Sequence, residues 1–169
     1  MPMSDYMRSL RASVGPRLLQ VPSVSIVVRD DEDRVLLVRH ENDGRWMTPG
    51  GAVEPAEIPA EAAVREMWEE TGLLVEPTRV LGVYGGPEFI VKYRNGDRTS
   101  YMMVVFEARR LSGTARPDGV ETLDLRYFSF DEVRTVNRPD WLDEVLEDVF
   151  AGGDTTAYRR PSWTPPSAV

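Results

Sequence analysis

Two apolar runs of strand length, Val24 to Val28 and Val35 to Val38, flank the polar stretch Asp30-Asp31-Glu32-Asp33. Apolar runs of this length around a polar turn predict a β-hairpin. Upstream, Tyr6, Leu10 and Val14 recur every four residues, which predicts a helix from Asp5 to Val14, stopped by Gly15-Pro16. Arg45 to Thr48 is a short extended piece ending at Pro49-Gly50-Gly51. A helix then opens at Pro59, where a missing N–H costs nothing, and ends before Gly72, a residue suited to the left-handed position past a helix end. Beyond it, β-branched and aromatic residues predict strands at Val80 to Val83, Phe89 to Tyr93 and Thr99 to Ala108, with Asn95-Gly96 as a hairpin turn. Leu125 to Phe128 reads as a further strand. Ser129 and Glu132 form a capping box, and Leu142, Val145, Leu146, Val149 and Phe150 keep the 3.6-residue period of an amphipathic helix. A strand-rich chain with helices between and after the strands predicts an α+β or mixed α/β domain with helices packed on a sheet.

Composition narrows what such a domain can do. The 169 residues favour one domain, and 41% hydrophobic with 28% charged residues is an ordinary globular balance. The organisation expected is a helical N-terminal segment at 1–20, a main domain at 21–151 and a Pro/Gly/Ser/Thr-rich tail at 152–169, which Tyr158 and Trp163 could anchor on the body or on a partner chain. A net charge of −8 gives no general attraction to nucleic acid or anionic membrane, so a phosphate-bearing ligand would need a cation at its site. The absence of cysteine excludes disulfides, thiolate nucleophiles and cysteine-based zinc sites. The single histidine, His40, excludes a multi-histidine metal site within one chain and reads as a surface residue. Lys92 is the only lysine, so Schiff-base chemistry would rest on it alone. No apolar signal core or membrane-length stretch is present, so a cytoplasmic protein is expected.

The chemistry concentrates in the helix after Pro59. On a helical wheel Ala60, Ala63, Val64 and Met67 share one side, and Glu66, Glu69 and Glu70 fall on the other at i, i+3 and i+4. Those carboxylates converge, and like charges at that spacing destabilise a helix by a few tenths of a kcal/mol per pair, roughly. Three hard oxygen donors on one rigid face suit Mg²⁺ or Mn²⁺; a solvated acidic face is the alternative. The spacing around them is more specific. Gly51, Glu57, Arg65, Glu66, Met67, Glu69, Glu70, Gly72 and Leu73 fill every fixed position of a 23-residue box, and in this the chain resembles the Nudix hydrolases. The strand VLLVRH, the lead-in WMTPGG and the later YFSFDEV extend the likeness to about residues 21–150. One departure is Ala56, where the family often has glycine.

The resemblance implies a mixed β-sheet sandwiched between helices, and a loop–helix–loop that grips divalent metal against a substrate diphosphate. It implies Glu66, Glu69, Glu70 and the carbonyl of Gly50 as metal ligands, with Mg²⁺ expected and Mn²⁺ an alternative. Glu66 reads as ligand, base or both, and Glu69 also counts among the catalytic candidates. Arg65 and Glu57 read as an ion pair that holds the loop, with Gly51 and Gly72 as structural members of the box. Glu121 is either a late metal ligand or base, or a plain loop residue. Arg39 and Arg45 are candidates for touching phosphate, with surface charge as the alternative for each. Of Tyr84, Phe89, Tyr93 and Tyr101, one or two could stack on a base, the rest being core. The implied substrate is a nucleotide-type small molecule, a nucleoside diphosphate derivative such as ADP-ribose or a sugar nucleotide. A triphosphate-cleaving enzyme is the runner-up, and a non-catalytic nucleotide-binding module the alternative from another class. A homodimer is a possible state.

Overall fold

In the computed structural model, which describes residues 4–165, the chain is a mixed α+β domain of two sheets and four helices. The first three and last four residues of the expected terminal segments lie outside the described residues. The larger sheet runs β4 (Gly50–Ala52), β1 (Leu18–Val28), β7 (Arg98–Gly113), β5 (Leu73–Tyr84) and β9 (Ala157–Tyr158), with β6 (Ile90–Lys92) also on β7. β1 lies parallel to β7 from Leu18↔Arg98 to Val28↔Ala108, and β5 lies antiparallel along the other edge of β7. The smaller sheet is β3 (Trp46–Met47), β2 (Val35–His40) and β8 (Thr122–Phe128), all antiparallel.

This corrects the hairpin expected between Val24–Val28 and Val35–Val38. Those runs share one isolated bridge, Arg29↔Val35, and then diverge into different sheets. Both edges of β1 are already occupied by β4 and β7, and β2 finds its partners in β3 and β8. Burial on both faces explains why Ile26, Val27 and Val28, and Val35 to Val38, are continuously apolar rather than alternating: every residue from Ser23 to Val28 and from Val35 to Val38 is buried, the two serines included.

The other local readings hold with shifted boundaries: the strands expected at Val80 to Val83, Thr99 to Ala108 and Leu125 to Phe128 are longer, whereas Arg45 to Thr48 shortens to Trp46–Met47 and Phe89 to Tyr93 to Ile90–Lys92, with Phe89 in a 3-10 turn. α1 (Asp5–Val14) is capped by Ser4, whose hydroxyl accepts from Met7 N–H, and Arg11 ties it to the hairpin by donating to Arg98 O and Thr99 Oγ1, each at 2.8 Å. Asn95-Gly96 turns β6 into β7. α3 (Phe130–Val133) starts at the Ser129–Glu132 capping box. α4 (Trp141–Ala151) packs its buried Leu142, Val145, Leu146 and Val149 on one face of the large sheet, with Val27, Val105, Phe128 and the β2 residues Val35 and Leu37. α2 (Pro59–Thr71) packs on the other face, where Ala62, Ala63 and Met67 meet Val24, Ile26, Phe106 and Leu36. Each face buries about ten or more apolar side chains, at roughly 1.5–3 kcal/mol for each large one against exposure.

The tail is held differently from expectation. Tyr158 and Trp163 point outward, 70% and 76% exposed, so neither ring anchors the tail on the body. Instead β9 adds to the edge of β5, Thr156 Oγ1 donates to Val80 O, and Arg159 reaches Glu88 and Glu144. Among the described residues no helix is long and apolar enough to cross a membrane.

Candidate metal and catalytic site

α2 carries the site, and its orientation revises the wheel. The buried residues are Ala62, Ala63, Glu66, Met67, Glu70 and Thr71; Ala60 is half-buried, and Val64 lies nearer the solvent side with the exposed Trp68. Glu66 and Glu70, one turn apart, therefore sit on the inward face, 8% and 4% exposed, rather than opposite the apolar stripe. They can be buried because the strand beneath them is glycine. A Cβ on Gly51 would lie 2.4 Å from Glu66 Oε1, and one on Gly50 would lie 2.2 Å from Val24 O. Gly50 also holds φ at +153°, a conformation L side chains rarely adopt. Its N–H donates to Glu70 Oε2 at 3.3 Å. β4 is fixed in turn by its antiparallel register on β1, with Ser25↔Gly50 and Val24↔Gly51, and by Ile26 N–H donating to Pro49 O. The buried hydroxyls of Ser25 and Thr48 meet at 2.5 Å beneath this turn.

Arg65 holds the outer side. Its Nε and Nη2 donate to the two oxygens of Glu57 at 2.8 and 2.9 Å, and Nη2 also reaches Ala52 O. Its Nη1 donates to Glu66 Oε1 at 2.7 Å and Glu69 Oε2 at 3.1 Å. The paired guanidinium holds the Glu57 carboxyl below its usual range, and Arg65 is itself pushed up by the same contacts. Glu57 Oε2 also accepts from Glu54 N–H, so the pair closes the loop before α2. Gly72 ends the helix in the left-handed conformation, its N–H donating to Trp68 O.

One cation shared among Glu57, Glu66 and Glu69 leaves Glu70 unanswered. Burial pushes the Glu66 carboxyl up despite Arg65, and it pushes Glu70 well above the carboxylate range, helped by the neighbouring Glu66. Two carboxylates this deep and this close call for a compensating cation. The donors are hard oxygens on one helix face beside a backbone turn, and they fit a divalent ion.

Of the other expected residues, Glu121 arrives at the site. It lies just before β8, its backbone N–H capped by Asp118 and its carbonyl accepting from Glu41 N–H. There its carboxylate joins Glu70 and His40 in a group whose ligand atoms all lie within 4.8 Å of one another. The sequence alone makes His40 a surface residue; the structure places it half-buried at the end of β2, facing that group. The available signal was positional: His40 ends the strand that leads into the glycine turn, but only the β2–β8 pairing shows that it meets Glu121. Arg39 and Arg45 face aspartates instead, Arg39 with Asp124 at 4.0 Å and Arg45 with Asp43 at 2.5 Å. Of the aromatics, Tyr84 and Phe89 are core, with Tyr84 Oη donating to Asp148 on α4, while the partly exposed Tyr93 shares a hydroxyl contact of 2.5 Å with Tyr101.

Comparison with known proteins adds lineage to this geometry. The family model described as the NUDIX domain matches residues 19–149. A MutT-like protein of Streptomyces ambofaciens is 40% identical over 79 residues, covering 47% of this chain and 51% of that protein. A putative 8-oxo-dGTP diphosphatase of Bacillus subtilis is 34% identical over 104 residues, covering 62% and 63%. The chain thus spans between half and two-thirds of the length of these curated relatives. Among solved structures, a NUDIX hydrolase from Nitrosomonas europaea superposes with a TM-score of 0.64 at 27% identity, covering 79% of this chain and 90% of that one.

Proposed function

Because the chain belongs to the NUDIX domain family, we propose that it is a Mg²⁺-dependent hydrolase that cleaves the diphosphate linkage of a nucleoside diphosphate derivative, of the ADP-ribose or sugar-nucleotide type. The observation that carries this reading is the buried pair Glu66 and Glu70 over the Gly50-Gly51 turn, with Glu121 brought to Glu70. Glu66, Glu69, Glu70 and the carbonyl of Gly50 are the residues that would hold the ion. When bound, a divalent cation neutralises charge on phosphoryl oxygens and lowers the pKa of water. The protein's own contribution is positioning. Arg65 and Glu57 fix the loop and aim Glu66 and Glu69. Glu66 or Glu121 takes the proton of the attacking water as its oxygen bonds to phosphorus and the bridging P–O bond breaks. Arg39 and Arg45 would reach a substrate phosphate only by exchanging their aspartate partners for it.

The MutT-like protein of Streptomyces ambofaciens and the putative 8-oxo-dGTP diphosphatase of Bacillus subtilis favour a second reading, a nucleoside triphosphate pyrophosphohydrolase. A further relative in Bacillus subtilis, a putative ADP-ribose pyrophosphatase 31% identical over 102 residues, favours the first. Incubating the protein with nucleoside diphosphate derivatives and with triphosphates, with and without Mg²⁺, separates them by product. Cleavage of one class that needs the ion and disappears in Glu70→Gln supports hydrolysis and selects the class. Ligand binding without turnover of anything replaces both readings with a nucleotide-binding module.

A further inference from the structure

We infer that His40 is a direct metal ligand, completing a mixed nitrogen–oxygen centre with Glu70 and Glu121 that selects Mn²⁺ and later first-row ions over Mg²⁺. The inference rests on the divalent-ion chemistry proposed above and goes beyond it, because no fixed position of the 23-residue box is a histidine and His40 lies eleven residues before its first glycine, Gly51.

Three observations converge on it. First, one ligand atom each from His40, Glu70 and Glu121 fall within 4.8 Å of one another, and the three come from separate elements, the end of β2, the inward face of α2 and the loop entering β8. The backbone holds them there: β2 and β8 pair in register at His40↔Thr122, and Glu41 N–H donates to Glu121 O at 2.7 Å. Second, Glu70 is 4% exposed, and among the described residues the hydrogen bond it receives is the 3.3 Å one from Gly50, a thin complement for a buried carboxylate. Third, Thr122, next to Glu121 in sequence and opposite His40 in register, is fully buried with a hydroxyl that has no hydrogen-bond partner among the described residues. A fully buried hydroxyl without a partner calls for a water or another polar group beside it.

The imidazole is also positioned as a ligand rather than as packing. Asn42 Nδ2 lies 3.4 Å from His40 Nδ1. With the Asn42 amide turned over, its oxygen accepts from Nδ1–H, and Nε2 is free for a metal. Imidazole is a softer donor than carboxylate, and Mg²⁺ prefers all-oxygen surroundings. One nitrogen donor therefore shifts preference along the divalent series toward Mn²⁺, Co²⁺ and Zn²⁺.

The test reads the bond directly. Tag-free full-length protein is loaded with one equivalent of Mn²⁺ and examined by pulsed electron paramagnetic resonance for ¹⁴N coupling from imidazole. With a single histidine in the chain, such coupling has one possible source. The expected result is imidazole coupling in the wild type that vanishes in His40→Gln. Circular dichroism of the variant should be unchanged, Mn²⁺ affinity should fall about tenfold or more, and Mg²⁺ affinity should change much less. Mn²⁺ bound without imidazole coupling overturns the inference and leaves the glutamate site standing. Failure to bind Mn²⁺ at all overturns both.

Discussion

Ala56 sits two residues before the helix-capping Ile58 with φ at +67°, the left-handed region that costs an L-residue about 1–2 kcal/mol. Alanine here holds a conformation that glycine would adopt without steric cost. Ala56→Gly relieves the strain but loosens the unfolded chain, for a net gain of up to about 1 kcal/mol. Thermal melts should show a midpoint a few degrees higher; an unchanged or lower one would mean that the loop carries no strain. The other decisive residue is Glu70. Its raised carboxyl means that the folded protein holds a proton which the unfolded chain releases near the ordinary value of 4.5. Without metal, the charged form at neutral pH is therefore a stability cost that shrinks as pH falls toward 4.5. Glu70→Gln should melt higher than wild type at pH 8, and the difference should close by about pH 5. His40, held below its ordinary value by burial, also loses stability as pH falls through 6.5, and it lies beside Glu70, so the two proteins are compared in a His40→Gln background where that titration is absent. A difference that stays constant with pH would show that burial of the charge is not what the substitution relieves.

At the scale of elements, β4 is three residues long yet sets the depth of two carboxylates. The two glycines fail differently when filled. Gly50→Ala drives a Cβ into the backbone of β1 and should lose more than about 2 kcal/mol in denaturant unfolding. Gly51→Ala meets the far end of the Glu66 side chain, which can swing away once it gives up its hydrogen bond from Arg65. It should keep the melting point to within a few degrees while metal affinity, read by calorimetry, drops about tenfold or more. Equal stability losses in the two would contradict this division. The tail gives a second test: ending the chain after Ala151 removes β9 and the Arg159 contacts with Glu88 and Glu144. The expected cost is about 1–3 kcal/mol, seen as a lower melting point with the same elution volume. A larger apparent mass in the full chain than in the truncated one would instead assign the tail to assembly. Legibility in the sequence follows the same line between local and long-range. The capping box at Ser129, the Asn95-Gly96 turn, the Pro59 start and the Gly72 stop are fixed by neighbours a few residues away, and each was readable. The fate of β1 and β2 depends on strands far along the chain, so adjacency suggested a hairpin that does not form. The inward turn of Glu66 and Glu70 was hidden for a related reason: a wheel sorts residues by polarity, whereas this helix buries carboxylates against glycine.

For the whole molecule, the acidic surface and the acidic site act together. With a net charge of −8, the site attracts cations at long range and repels polyanions until an ion is bound, so substrate affinity should rise with metal occupancy and fall with added salt. Equilibrium dialysis of a non-hydrolysable diphosphate should show little binding without the ion. Beneath this lies the sixteen-residue strand β7, which takes β1 along one edge and β5 and β6 along the other. Every register partner in β1 precedes its mate in β7 by about 80 residues, and the glycine turn, the glutamate helix and His40 all fall inside the loop that this parallel pairing closes. Closing so long a loop is entropically expensive and kinetically late. The order of assembly therefore separates the parts of the site in time. Arg65 and Glu57, eight residues apart, can meet early on the nascent helix, whereas Glu121 reaches Glu70 only once β8, which lies beyond that loop, has paired with β2. During refolding, ion capture should report the last event on the pathway rather than the first.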